Sequence, residues 1–373
     1  MGNDKQIQKA GDNSSQYQAQ VVNVTNNYVM GIDEHRVKEI CSELAVDIAK
    51  SYTAEATEKA VERIENYTTT LIPRLEKIEN DFRSLSDPSF QFLLQSSQKT
   101  AACTDREADY EMLAELLVHR VEKGNDRKAK ASIAKAVEIV DQIDDDALCA
   151  LTVVYAIDQW SPVSGNITSG LLILEDLFSS LLYMDLPNEY KWVYHLDLLN
   201  TVRASSLGSF KKFEDYYSER LNGYVCVGIK KDSDIYEKVL DLLKQVNMPQ
   251  SLLEDNELLP GYVRLKTRGK LYLKDMTYAE FIPMLAVSVP IKVNAQQIDI
   301  LKEIWELYSN DQTLMSQVKK NFVKKLDEFP SLKTVKDWWN KLPHSFRITP
   351  IGEVLAHANA QRYNKKVPDR REV

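Results

Sequence analysis

The densest run of cations in this chain is Arg264, Lys266, Arg268, Lys270 and Lys274, with Tyr262 and Tyr272 interleaved. Cations at alternate positions beside aromatic rings are the residue types that track a phosphate backbone, each bound cation releasing condensed counterions. Arg264, Lys266, Arg268 and Lys270 are therefore the candidate nucleic-acid contacts. The same run equally suits the acidic helical body of a neighbouring subunit. The chain as a whole has a formal charge of −8, which gives no global pull toward nucleic acid or anionic lipid. Upstream, Asp255 and Glu257 together with Lys266 look superficially like the scattered acids and lysine of metal-dependent nucleases. The tight acid-x-Lys pair of such a site is missing, and a solvated loop explains these residues as well.

Other reactive residue types are scattered. Asp144, Asp145 and Asp146 precede a helix, where three carboxylates suit a divalent cation. A helix N-terminus attracts acids through its dipole without any catalytic role, and the capping explanation is favoured. His35, His119, His195, His344 and His357 each stand alone, with no H-x-x-x-H or H-E-x-x-H spacing. His119 is expected at the surface or half-buried. Cys41, Cys103, Cys149 and Cys226 are far apart with no C-x-x-C pair, and read as reduced, half-buried small residues. The phosphate-loop, dinucleotide-binding and serine-hydrolase glycine motifs are all missing. No catalytic residue, metal or cofactor is assigned from the sequence.

The elements that would position these residues are mostly helical. Only 12 Gly and 12 Pro occur in 373 residues, which favours long helices over an all-β fold and leaves room for two or three compact domains. The fold class expected is mainly α, in four parts: a β oligomerisation arm at 1–31, kinked coiled-coil helices at 32–88, a helical bundle at 104–247 and an α-rich domain at 248–373 with winged-helix-like elements. In the arm, Gln16, Gln18 and Gln20 alternate with Tyr17 and Ala19, and Val22 and Val24 follow a change of phase. A two-stranded ribbon is marginal alone, so it needs a partner, and copies from other subunits can satisfy its amides. A loose polar tail is the alternative.

Asp33 is placed to cap the first helix. Val61, Ile64, Thr68, Leu71, Leu75, Ile78, Phe82 and Leu85 then recur at alternating three- and four-residue steps, the seam of a coiled coil. Pro73 is expected to kink or reset that helix. The seam fits a helix hairpin within one subunit as well as a coil between subunits, and the neighbouring arm tips the choice toward oligomerisation. After the break at "SDPSF", helices are expected at 105–123, 127–143, 146–159, 167–184, 188–205 and 209–221. A strand at 224–229 and a helix at 233–247 follow. "VRLKTRGKLYL" (263–273) and "FRITPIGEVLA" (346–356) each read as a strand passing through a glycine, Gly269 or Gly352, into a helix. Between them lie helices at 295–309, 311–328 and 332–341. Trp338 and Trp339 are adjacent, so only one is expected to point inward.

The stretch "AGDNSSQYQA" (10–19) resembles the opening of a family of bacterial proteins without assigned function that begin with an A-G-D-N-S-x-Q-x-Q-A arm. "FRITPIGEVLA" is similar to the closing [FL]-x-[LI]-T-x-x-G segment of that family and of bacterial abortive-infection proteins of the Abi-alpha type. The resemblance covers about twenty residues and transfers no catalytic group. It implies a setting of phage defence among bacterial accessory genes.

The function expected is that of a homo-oligomeric phage-defence or stress-response protein, more a binding protein than an enzyme. It would assemble with itself as three or more chains, through Gln16, Tyr17, Gln18, Gln20, Val22 and Val24 and the seam residues Val61, Ile64, Leu71, Leu75, Ile78 and Phe82. A phage or host protein is a further partner. The alternatives are a nucleic-acid-binding regulator using 264–274, and a metal-dependent nuclease or other toxin enzyme. The most apolar run, 169–186, is interrupted by Glu175 and Asp176 and too short to span a bilayer. Residues 1–30 lack the basic-then-apolar pattern of a secretory signal. A cytoplasmic location with no membrane contact is expected.

Overall fold

The computed structural model describes residues 32–50, 52–124, 126–205, 207–282 and 287–368. The arm at 1–31 lies outside them. Helix α1 (Glu34–Ala49) begins where its pattern requires, the Asp33 carboxylate accepting from the Arg36 amide at 2.8 Å. Helix α2 (Ala54–Ile78) packs beside it after a short connection. The helix continues through Pro73 instead of resetting there. Pro73 is exposed, so its ring meets solvent and the helix gives up little more than the bond to the Thr69 carbonyl. At Phe82 the backbone turns left-handed, φ 46°, and drives the ring into the core.

Helix α3 (Pro88–Cys103) then starts on Asp87 as cap with Pro88 in its first turn. It is followed by α4 (Glu107–Glu122), α5 (Arg127–Val137), α6 (Asp145–Gln159), α7 (Ile167–Leu181) and α8 (Lys191–Leu198). The helix expected over 188–205 stops early, and Val202–Ala204 is strand β1, followed by α9 (Phe213–Arg220). The expected strand at 224–229 is reduced to β2 (Ile229–Lys230), ahead of α10 (Asp234–Gln245). Next come β3 (Leu253–Asp255), β4 (Tyr262–Leu265), β5 (Thr277–Ile282) and β6 (Val287–Lys292). The chain ends through α11 (Ala295–Glu306), α12 (Gln312–Leu326), α13 (Pro330–Trp339), β7 (Phe346–Ile348) and α14 (Pro350–Tyr363). The protein is mainly α, as its composition implies.

The hydrophobic cores do not part at residue 248. One large core draws residues from α1 through α9, from Tyr224, Val227, Leu258 and Leu259, and again from α12 through α14. A second core, from Ile229 to Tyr308, is built by β2, α10, β3, β4 and α11. The large core spans both ends because β7 pairs antiparallel with β1, Arg203 opposite Arg347, and α14 packs against α4, α5 and α6.

The paired strand-to-helix pieces also separate. β7 does lead into α14, with the Thr349 hydroxyl accepting from the Gly352 amide at 3.3 Å. β4 instead lies between β2 and β3, and Gly269 leads into a short 3-10 turn. Among the described residues the two pieces therefore do not repeat one strand-to-helix unit.

Gly352 earns its place by proximity: a Cβ there would stand 2.1 Å from the Thr201 carbonyl oxygen. Backbone cannot move aside as a flexible side chain does, so Gly352→Ala is expected to destabilise the fold by about 1–3 kcal/mol. Thermal or urea unfolding measures it; an unchanged midpoint would contradict the close approach.

Candidate functional site: the hairpin groove and the basic segment

The heptad seam of α2 faces inward. Ile64, Leu71, Leu75 and Phe82 are buried by the subunit's own α1, α3 and α4, so they are not available to another chain as the sequence suggested. Polar bonds lock the same face: Tyr67 donates to Ser97 Oγ at 2.9 Å, and Arg74 Nη1 donates to the Glu111 carbonyl at 3.1 Å. A coiled-coil pattern specifies a buried stripe but not what buries it, and α3 and α4 supply the cover. Of the proposed contact residues on α2, only Val61, half-buried, and Ile78, 41% exposed, remain within reach of solvent.

Val61 belongs instead to a groove of about 640 Å³ between α1 and α2. Its apolar lining includes Cys41, Ala45, Val46, Ile64 and Ile72, and Val46 is 54% exposed. Ser42, Thr68 and Thr69 supply hydroxyls at its walls, and Glu34 and Lys38, ion-paired at 2.5 Å, stand at one end. Burial pushes the Cys41 thiol up to about 11, so at neutral pH it is a protonated apolar wall and not a nucleophile. The chain enters beside this end: the Ile32 amide donates to the Asp81 carbonyl at 2.9 Å. Val46 was missed by sequence reasoning, although its exposure beside the buried Ile48 is written in the helical register of α1.

The basic segment is not a surface patch. Arg264 is 0% exposed and donates to the carbonyls of Gly223, Leu265 and Thr267, each at 3.1 Å, and of Gly165 at 2.8 Å. Its charge is met by Glu254 on the neighbouring strand β3. Burial raises the Glu254 carboxyl above its ordinary value, with Arg264 pulling the other way. Arg268 lies 3.7 Å over the Tyr272 ring and donates to the Pro162 carbonyl at 2.7 Å. Lys270 pairs with Glu306 at 2.5 Å. Lys266 is exposed and, among the described residues, holds no ion pair. The four candidate nucleic-acid contacts are thus split between interior and surface, because Arg264 lies on the central strand β4 and is drawn inside, while Lys266, Arg268 and Lys270 follow the end of that strand.

The remaining candidates are also dispersed. Asp255 pairs with Lys231 at 2.7 Å, while Glu257 accepts from Asn166 at 2.8 Å and from Thr168. The acids at 144–146 do stand at the start of α6, Asp145 meeting Arg106 at 3.2 Å. His119 is buried, not peripheral, and its Nε2 lies 2.6 Å from Gln361 Oε1. Both Trp338 and Trp339 point inward, donating to the Pro187 carbonyl at 2.9 Å and the Lys211 carbonyl at 2.8 Å. Among the described residues no cluster of His, Cys, Asp and Glu could hold a metal ion, and no helix is long and apolar enough to cross a membrane.

A family model matches residues 31–368. The chain belongs to that family, whose description reads ":-like". The matched span includes the FRITPIG segment and begins after the motif at 10–19. No curated protein and no solved structure matches the chain.

Arg264 gives this region its clearest test. Arg264→Ala leaves the half-buried Glu254 without its ion-pair partner and four carbonyls without their donor, and is expected to cost about 3–5 kcal/mol, whereas Lys266→Ala changes stability by no more than about 0.5 kcal/mol. Denaturant unfolding of the two variants separates them; similar small losses would mean that Arg264 is not the hub its contacts describe.

Proposed function

We propose that this protein is a cytoplasmic, homo-oligomeric phage-defence or stress-response protein that acts by assembly and partner binding. Residues 16–31 of one copy fill the α1–α2 groove of the next. The observation that carries this reading is the groove itself, an apolar trough opening beside the point where residue 32 joins α1. From Glu34 to Val46 it spans about 18 Å at 1.5 Å per residue. About six extended residues cover that length, well within the chain that precedes it.

The chemistry of the two parts also matches. Val22 and Val24 suit the apolar surface of Ala45, Val46 and Ile72, and Gln16, Gln18 and Gln20 suit the hydroxyls of Ser42, Thr68 and Thr69. An arm exchanged between copies joins subunits without using the buried seam. The defence setting is supported by the resemblance of residues 10–19 and 346–356 to the bacterial families described above, including the Abi-alpha type.

Light scattering on the full chain and on a chain lacking residues 1–31 tests the assembly. The full chain is expected as a discrete oligomer of three or more copies and the shortened one as a monomer or dimer. Two monomers would overturn the proposal, leaving the groove to the arm of its own subunit or to another protein. Val46→Asp is expected to lower the oligomer mass in the same way while changing the stability of the subunit by no more than about 0.5 kcal/mol. Phage challenge of cells carrying each form reads out the defence role.

A further inference from the structure

A second cavity, of about 530 Å³, opens where the end of α6, the loop before α9, the end of α13 and strand β7 meet. Its volume falls within the range of small-molecule sites. Its wall is aromatic. The Phe210 and Trp339 ring centroids lie 4.5 Å apart, Phe346 meets Phe210 edge-on at 5.2 Å, and Tyr216 stands 6.4 Å from Trp339. The Trp339 indole is anchored by its bond to the Lys211 carbonyl, so the wall is set before any ligand arrives.

Arg347 also reaches this cavity. It is exposed, and among the described residues its side chain makes no hydrogen bond or ion pair. In the β1–β7 ladder it sits directly opposite Arg203. Cross-strand partners project to the same face, and like charges placed so are destabilising. Arg203 is compensated by Asp197 at 3.7 Å and by the Asn200 side chain at 2.9 Å. Lys211, the other cation of the cavity, is held by Glu219 at 2.6 Å. Arg347 is therefore the cation of this site that lacks an anion. Asp158, which lines the same cavity, accepts from the Tyr216 hydroxyl at 3.4 Å and has further carboxylate lone pairs for an amino group.

We propose that this cavity binds a small ligand combining a flat aromatic ring, amino donors and an anionic group, the chemistry of a purine nucleoside monophosphate. The ring lies against Phe210, Tyr216 and Trp339, the phosphate is taken by the planar fork of Arg347, and the ring's amino group meets Asp158.

Isothermal titration calorimetry of the full chain with adenosine monophosphate, guanosine monophosphate, adenosine and inorganic phosphate tests the assignment. At least one nucleotide is expected to bind with a Kd below ~1 mM, and adenosine and phosphate each at least about tenfold more weakly. Arg347→Ala is expected to weaken nucleotide binding at least about tenfold with an unchanged melting temperature, and Arg347→Lys to restore part of it. The proposal is overturned by absence of binding for both nucleotides at ~5 mM. It is equally overturned by phosphate binding as tightly as the nucleotides, or by an Arg347→Ala affinity equal to that of the parent chain.

Discussion

Burial of α14 on every face is the constraint on which the rest of the molecule depends. Val354, Leu355, Ala356, Ala358 and Ala360 are buried, but so are His357, Asn359 and Gln361 on the same helix. An apolar helix can slide along a bundle at modest cost; one with buried polar side chains cannot, because each loses water and must find its partner. Gln361 meets His119, His357 Nδ1 lies 3.3 Å from the Tyr155 hydroxyl, and Asn359 donates to Thr152 Oγ1 at 2.9 Å and to the Tyr183 hydroxyl at 3.2 Å. Those bonds specify one position of α14 along α4 and α6. They thereby fix β7 against β1 and bring Gly352 against the Thr201 carbonyl.

The second core follows from that closure. The chain leaves the large core after Val227, touches it again at Leu258 and Leu259, and re-enters it with α12, so the unit from Ile229 to Tyr308 is held at both ends and in its middle by a body that is already registered. Leu258 and Leu259 give this docking an apolar part, and Arg264 gives it a polar one. Arg264 reaches out of the β4 strand to carbonyls at Gly165 and Gly223, which belong to the bundle side, and to Leu265 and Thr267 on its own side. The Tyr308 hydroxyl accepts from the Leu265 amide at 2.6 Å. A buried guanidinium with one carboxylate partner contributes little net stability, but its fork of donors demands a single arrangement of four carbonyls. The ion pair thus acts on geometry more than on energy.

Local signals in the sequence were sufficient for much of this. Asp33, Asp126 and Asp311 cap α1, α5 and α12 with bonds that span two or three residues, and Asn294 with Gln297 forms a reciprocal capping box. What escaped depended on partners distant in sequence. α3 buries Ser97, Gln98 and Thr100, so it carries no clear apolar stripe. β1 looks like the tail of a helix until β7 arrives almost 150 residues later. Arg264 reads as a surface cation because Glu254, ten residues away, becomes its neighbour only through the β3–β4 register. Trp338 and Trp339 both turn inward because the end of α13 is covered twice, by Trp192 on one side and Phe210 on the other.

The outer hairpin differs from this interior in kind. α1 touches the body through α2 and α3, and its apolar residues are divided between the core, at Val37 and Ile48, and the groove, at Cys41, Ala45 and Val46. Since apolar stabilisation scales with area removed from water, an element that buries only part of its apolar face gains most when a further segment covers the remainder. Elements of low contact density are also the first to open locally. In the proposed assembly, each arm would therefore stabilise the part of its neighbour that is least secured, while the α14-centred bundle, already closed by its own polar bonds, would remain the same in the free and assembled subunit.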